Sequence, residues 1–293
     1  MKITELWKKR DKPTISFELF PPRSEKAAER LEKTIDVLAG LKPDFASVTF
    51  GAGGSTREGS FQLLEKLKAV KKLDVIAYFA GYGLGPEDIT SVLNSYQELG
   101  IENILVVRGD IPRDDEGFTP HPQSFEHASN LMEFIRPKYN FCLGVAAYPE
   151  GHIESESKAK DLEYLKLKVD QGAEYIITNY TYNNRFFYEF LEHCQALGID
   201  VPIVPGVMPI YSEKMMESLA SLCGATIPAD IRQRLGELPE GDKEAVLNFG
   251  IEFAYLQCKD LLKAGVPGLH IYTMDRYKTV AAIVTRLRDE GLL

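Results

Sequence analysis

Glu18 is the first residue whose position asks for an explanation. It sits inside an apolar run, TISFELF at 14–20, between Phe17 and Leu19 and just before Phe20-Pro21-Pro22. A carboxylate there is costly without a partner, so Glu18 is either a core carboxylate satisfied by an ion pair or a working group. Five more apolar runs close on residues able to bind a ligand or move a proton. Thr49 is followed by Gly51-Ala52-Gly53-Gly54-Ser55, and Arg108-Gly109-Asp110 closes another run. Tyr148, Asn179 and Tyr272-Thr273 close the remaining three. Plainer readings stand beside these: Arg108 and Asp110 as a local salt bridge at a turn, and the glycines at 51–54 as a simple turn. His193 and His121 read as helix-surface and loop residues, and no His, Asp and Glu cluster has metal-ligand spacing. GAGGST at 51–56 and GYGLGP at 81–86 lack the third glycine of G-x-G-x-x-G, and no G-x-x-x-x-G-K-[ST] occurs. A nucleotide would therefore have to bind through loops, helix N-termini and single cations such as Arg108 or Lys168.

These residues need elements to hold them. Eight β-rich apolar runs (14–20, 44–50, 73–80, 103–109, 141–148, 173–179, 201–207 and 268–274) alternate with longer segments of helical periodicity, such as EKAAERLEKTIDVLAGL. Continuous apolar runs suit strands covered on both faces. Eight strands alternating with helices predict an α/β fold, a (β/α)8 TIM barrel over 1–293 as one domain, with extra helices between 212 and 265 before the last strand. In such barrels the chemistry lies at the C-terminal ends of strands, where the singled-out residues fall. His270 then reads as a barrel-interior residue. PRDDEGFTPHPQ at 112–123 reads as a surface loop.

Composition narrows the functional classes. Lys plus Arg number 34 against 43 Asp plus Glu, a net charge of −9, which argues against a nucleic-acid surface. No segment approaches the ~20 apolar residues of a membrane helix. The start, MKITELWKKRDKP, has no apolar stretch behind its charges, so a cytoplasmic location is expected. Cys142, Cys194, Cys223 and Cys258 show no C-x-x-C pair and are expected to be reduced and structural.

Seven ordered motifs carry a resemblance. They are Ser16-Phe17-Glu18-Leu19-Phe20-Pro21-Pro22-Arg23; Ser47-Val48-Thr49-Phe50-Gly51-Ala52; Arg108-Gly109-Asp110; Ala146-Ala147-Tyr148-Pro149-Glu150-Gly151-His152; Lys166-Leu167-Lys168-Val169-Asp170-x-Gly172-Ala173; Pro205-Gly206-Val207-Met208-Pro209; and Tyr272-Thr273-Met274-Asp275-Arg276. Together the chain resembles the catalytic barrel of the methylenetetrahydrofolate reductases, without the regulatory domain of eukaryotic relatives. The resemblance implies an oxidoreductase acting on a CH–NH bond, in which NADH or NADPH reduces FAD and the flavin reduces 5,10-methylenetetrahydrofolate by ping-pong kinetics. It implies a role in methionine biosynthesis and, as in many members, a homo-oligomer.

Residue by residue, the resemblance makes Glu18 the general acid and Asp110 a charge near flavin and pterin. A carboxyl in an apolar strand suits an acid, because desolvation keeps it protonated. Thr49, Phe50, Arg108, Gly109, Asp110, His127, Ala128, Tyr148, His152, Asp161 and Lys168 fall on flavin-binding positions. Asp161 and Lys168 lie two helical turns apart and can face one ligand. Asn179, Met215 and Arg276 join Glu18 and Asp110 on the substrate side; no metal is implied. Departures cluster there: Tyr78 replaces a histidine, His127 an aromatic, Asn179 and Met215 glutamines, and Leu219 an aromatic. Two other readings stay open, a flavin subunit reduced by a protein partner and a flavin-free binding barrel.

Overall fold

The computed structural model describes residues 1–9, 11–50, 54–110 and 117–293, with the side chains of 54–56 outside that description. Residues 51–53 and the first part of the 112–123 loop lie outside the described residues; 117–123 is irregular and mostly exposed, as a surface loop should be.

Eight parallel strands close into a barrel in sequence order. They are β1 (Thr14–Leu19), β2 (Phe45–Val48), β3 (Asp74–Ala80), β4 (Asn103–Val107), β5 (Cys142–Ala147), β6 (Tyr175–Tyr180), β7 (Ile203–Val207) and β8 (Gly268–Tyr272). The ring closes where β1 pairs with β8, with Ser16 opposite His270 and Glu18 opposite Tyr272. Outside lie α2 (Glu25–Gly40), α3 (Gly54–Glu65), α4 (Pro86–Glu98), α5 (Ala128–Ile135), α6 (Lys158–Asp170), α7 (Asn184–Ala196) and α11 (Tyr277–Asp289). The long seventh connection holds α8 (Glu213–Cys223), α9 (Ala229–Gly236) and α10 (Lys243–Lys263), the three extra helices expected from the sequence. Helix starts are set locally: Ser24 accepts from the Ala27 N–H and Ser157 from the Lys160 N–H.

Strand alternation divides the core. Ile15, Phe17 and Leu19 face outward and join Leu31, Ile35 and Leu38 of α2 in the layer between sheet and helices. Each such fully buried Leu or Ile contributes roughly 2 kcal/mol. The inward positions of β1 are Thr14, Ser16 and Glu18, all buried. The apolar run of β1 therefore carries a polar column on its inner face, which its hydrophobic outer face hides in the sequence.

The bottom of the barrel is closed by α1 (Ile3–Lys9), an element the strand–helix alternation does not announce. Ile3, Leu6 and Trp7 pack against Phe45, Ile76, Leu105 and Tyr175. The Trp7 indole N–H donates to Thr14 Oγ1 at 3.0 Å. A separate small core forms over the β6–β8 rim, where Met216, Ala220, Ile231, Leu235 and Phe249 pack on Tyr180, Tyr182, Met208, Ile210 and Tyr211. Gly250 of α10 lies so close to the Ile210 carbonyl that a Cβ would stand 1.9 Å from its oxygen, so only glycine lets this helix settle on the end of β7.

Candidate functional site

The singled-out residues gather at the C-terminal mouth of the barrel in two groups. A cleft of about 340 Å³ lies over β4 and β5, against α5 and α6, and brings together Arg108, His127, Ala128, Tyr148, His152, Asp161 and Lys168. Thr49 and Phe50 stand on the other side of the mouth, after β2, where Phe50 packs on Phe79 with ring centroids 5.6 Å apart. Gly109 and the exposed Asp110 continue the chain from Arg108. Gly109 has φ +94°, and a Cβ there would press on Ala80 at 2.9 Å, so this turn requires glycine.

The cleft is built around a half-buried cation. Lys168 reaches from α6 to the Ala146 carbonyl, its Nζ donating at 3.0 Å. Burial pulls its pKa down to about 8, against the opposing pull of Asp161. Asp161 also secures the loop, accepting from the His152 backbone N–H at 3.1 Å. The His152 ring meets Tyr148 edge-on at 4.5 Å. Arg108 pairs with Glu154 of the same loop at 2.7 Å, and among the described ion pairs it does not meet Asp110. His127 is the cap residue of α5 and makes no side-chain cap, which leaves the first N–H groups of that helix open toward the cleft. Tyr164, not expected from the sequence, stacks on His127 at 6.4 Å and 18°. Its place three residues after Asp161 and four before Lys168 was the available signal.

Glu18 forms the second centre. It is 5% exposed, and burial pushes its pKa up to about 7 while the neighbouring Tyr78 hydroxyl pulls the other way. The ion-pair reading fails among the described residues, because no cation stands among the influences on this carboxyl. Tyr78 comes from β3 and also meets Ser47 of β2. His270 lies fully buried in the interior, its Nδ1 2.8 Å from Ser16 Oγ and its Nε2 3.2 Å from Ser47 Oγ. Burial drops its pKa to about 3, so the ring is neutral. Thr273 Oγ1 donates to the Glu18 carbonyl at 2.7 Å and fixes the exits of β1 and β8 together. Tyr272 stands beside Glu18 and donates its hydroxyl to the Thr178 carbonyl at 2.9 Å.

The remaining expected substrate residues line the β6–β8 side. Asn179 accepts from the Tyr180 N–H at 3.0 Å, at an irregularity in the β6–β7 register. Met215 and Leu219 of α8 pack into the small core over this rim. Arg276, exposed at the start of α11, lies 6.0 Å from the Tyr211 ring centroid. His193 is exposed on α7 and His121 exposed in its loop, as read from sequence. The four cysteines are free. No described cluster of His, Cys, Asp and Glu could hold a metal, and no described helix is long and apolar enough to cross a membrane.

Comparison with known proteins adds a family. The family model described as methylenetetrahydrofolate reductase matches residues 2–288. The chain is 36% identical to Methylenetetrahydrofolate reductase (NADH) 1 of Arabidopsis thaliana, over 93% of this chain and 48% of that protein. It is 33% identical to the 5,10-methylenetetrahydrofolate reductase of Escherichia coli (strain K12), over 92% of this chain and 88% of that one. The chain thus spans about half the length of the plant and yeast relatives it matches, and most of the bacterial ones. Among solved structures, an uncharacterized protein from Clostridium thermocellum that binds two copies of 5-methyl-5,6,7,8-tetrahydrofolic acid shares the fold, with a TM-score of 0.66, 18% identity and 99% of each chain covered.

Proposed function

Because the chain belongs to the methylenetetrahydrofolate reductase family, we propose that it reduces 5,10-methylenetetrahydrofolate to 5-methyltetrahydrofolate, with FAD carrying a hydride from NADH or NADPH in ping-pong fashion. The observation that carries this reading is Glu18, a buried carboxyl held near neutrality at the mouth of the barrel. Opening the methylene bridge requires a proton on the leaving nitrogen. Glu18 has that proton to give at neutral pH, whereas an ordinary exposed carboxyl has lost it.

The residues around the cleft fit a flavin dinucleotide. Lys168 is a half-buried ammonium whose hydrogen bond goes to a carbonyl, so an anion placed against it relieves its desolvation. Arg108 and the open N–H groups of α5 add positive potential for a pyrophosphate. The His127–Tyr164 pair offers a flat aromatic face. When bound, the flavin supplies the hydride. Glu18 gives its proton to the amine as the bridge opens, and Asp110 supplies negative charge opposite the cation that results. Asn179, Met215 and Arg276 line the side on which the pterin and its tail are placed.

The test is the purified protein's visible spectrum, followed by the two half-reactions separately. A yellow protein is expected to bleach with NADH or NADPH and to recover its colour with methylenetetrahydrofolate. Glu18→Gln should lose recovery by at least about a hundredfold, the usual worth of a general acid, while bleaching persists. Equal loss in both halves would remove Glu18 from the role. Bound flavin that neither nicotinamide bleaches would instead point to a protein electron donor.

A further inference from the structure

One strand of the barrel carries an extra residue on the substrate side of the mouth. In the β6–β7 ladder Ile177 stands opposite Val204, yet the next pair is Tyr180 opposite Gly206. Thr178 and Asn179 therefore share the place of Pro205 alone, which makes β6 bulge. Pro205 has no N–H to offer the ladder, and proline within a sheet falls at such places. The Gly206 N–H donates to Thr178 Oγ1, 3.1 Å away. The bulge carries Asn179, so whatever holds the bulge also aims that carboxamide.

The group that holds it comes from β8, two strands away. Tyr272 passes across β7 at Gly206 and donates its hydroxyl to the Thr178 carbonyl at 2.9 Å. A Cβ on Gly206 would stand 2.5 Å from the Tyr272 ring and 2.2 Å from the Thr178 carbonyl oxygen, so the crossing exists because residue 206 has no side chain. Tyr272 is itself fixed. Its carbonyl accepts from the Tyr211 hydroxyl at 3.1 Å, and its ring meets Tyr180 edge-on at 6.0 Å. Thr178 is 1% exposed. Without the phenol its carbonyl would be a buried acceptor short of a donor, and the bulge would shift to find one. Asn179 is oriented at the same place. Its Oδ1 accepts from the Tyr180 N–H at 3.0 Å, which commits the oxygen and leaves the NH2 end to meet a ligand as a donor.

We propose that Tyr272 is a positioning residue for Asn179. Through the space left by Gly206 its hydroxyl pins the Thr178 carbonyl, and the pinned bulge presents the Asn179 NH2 to an acceptor oxygen or nitrogen on the substrate. Tyr272 is also the ladder partner of Glu18, so one side chain sets the spacing between the acid and the recognition residue. Asparagine has one rotatable bond fewer than the glutamine it replaces, so its reach depends directly on where the backbone sits. The proposal rests on the functional reading for the identity of the substrate, and on the hydrogen bonds alone for the positioning.

The experiment has a structural and a kinetic arm. Thr178-Asn179 is the single Thr-Asn dipeptide of the chain. Carbonyl-labelled threonine combined with nitrogen-labelled asparagine therefore gives one NMR cross-peak, joining the Thr178 carbonyl to the Asn179 N–H. Tyr272→Phe, which keeps the ring and drops the hydroxyl, should move that carbonyl upfield. It should also move the side-chain NH2 signals that Asn179→Ala removes. In the kinetic arm the reduced holoenzyme is reoxidised at a series of methylenetetrahydrofolate concentrations. Tyr272→Phe should raise the apparent Kd by about two- to tenfold, the worth of one hydrogen bond, and should add nothing to the loss seen in Asn179→Ala. An unmoved carbonyl overturns the proposal, as does an equal effect of Tyr272→Phe with and without Asn179. A loss confined to the limiting rate would trace to Glu18 and overturn it too. In a protein that takes up neither flavin nor folate the functional reading falls, and the structural arm still decides: carbonyl and NH2 signals that move together uphold the positioning, and a carbonyl that moves alone refutes it.

Discussion

At the scale of single residues, two desolvated ionisable groups carry pH signatures. Folded Glu18 holds its proton up to about pH 7, against an ordinary value of 4.5. Between these values the folded chain binds more protons than the unfolded one, so stability falls as pH rises through the window, by about 3 kcal/mol in all. Glu18→Gln removes the penalty and should flatten that part of the urea-unfolding profile. Parallel profiles for the two proteins would contradict a buried acid. Lys168 behaves in the opposite sense: with its pKa pulled down to about 8, it is half neutral at that pH. Bringing a dinucleotide pyrophosphate against it restores the charge, so binding should take up about half a proton at pH 8. Calorimetry in buffers of different ionisation enthalpy measures this uptake, and Lys168→Met should abolish it. Both residues were legible in the sequence, Glu18 from its place in an apolar strand and Lys168 through the family resemblance. Their partners were not. Tyr78 reads only as a departure, because the contact between β1 and β3 spans a barrel that sequence spacing does not measure.

At the scale of elements, the loop after β5 does more than carry Tyr148 and His152. Glu154, in that loop, pairs with Arg108 after β4, with side chains 58% and 33% exposed. The carboxylate competes with any phosphate for the guanidinium. A pair this exposed is worth about 0.2–1 kcal/mol. Glu154→Gln should therefore tighten dinucleotide binding by about two- to fivefold at low salt, the gain shrinking as salt screens the pair. Fluorescence titration at two ionic strengths decides it, and unchanged affinity at low salt would show that Glu154 does not compete. Nothing in the chain announces this pairing, since Glu154 lies in an acidic stretch with no periodicity. The helices and strands themselves were readable, because burial on both faces writes period and apolarity directly into the sequence. The inner face of β1 was read only in part: Glu18 stood out, whereas Thr14 and Ser16, also polar among apolar outward residues, did not.

At the scale of the whole molecule, the barrel closes on its own first strand and is plugged from below by α1. Trp7, the single tryptophan, contacts Phe45 of β2 and Tyr175 of β6, with ring centroids at 6.2 and 5.9 Å. Its fluorescence should change in the same urea transition as the helical circular dichroism. An earlier fluorescence transition would show the plug leaving an intact barrel. By itself the sequence determined the eightfold alternation, the three extra helices before β8, and the family. All of these follow from local periodicity and contiguous motifs. Only the tertiary structure decided that Arg108, His127, Ala128, Tyr148, His152, Asp161 and Lys168 share one cleft, that Arg108 meets Glu154, and that Ser16, His270 and Ser47 meet inside the barrel. Those contacts join strands and loops far apart in the chain, and it is the curvature and closure of the sheet that bring them within hydrogen-bonding distance.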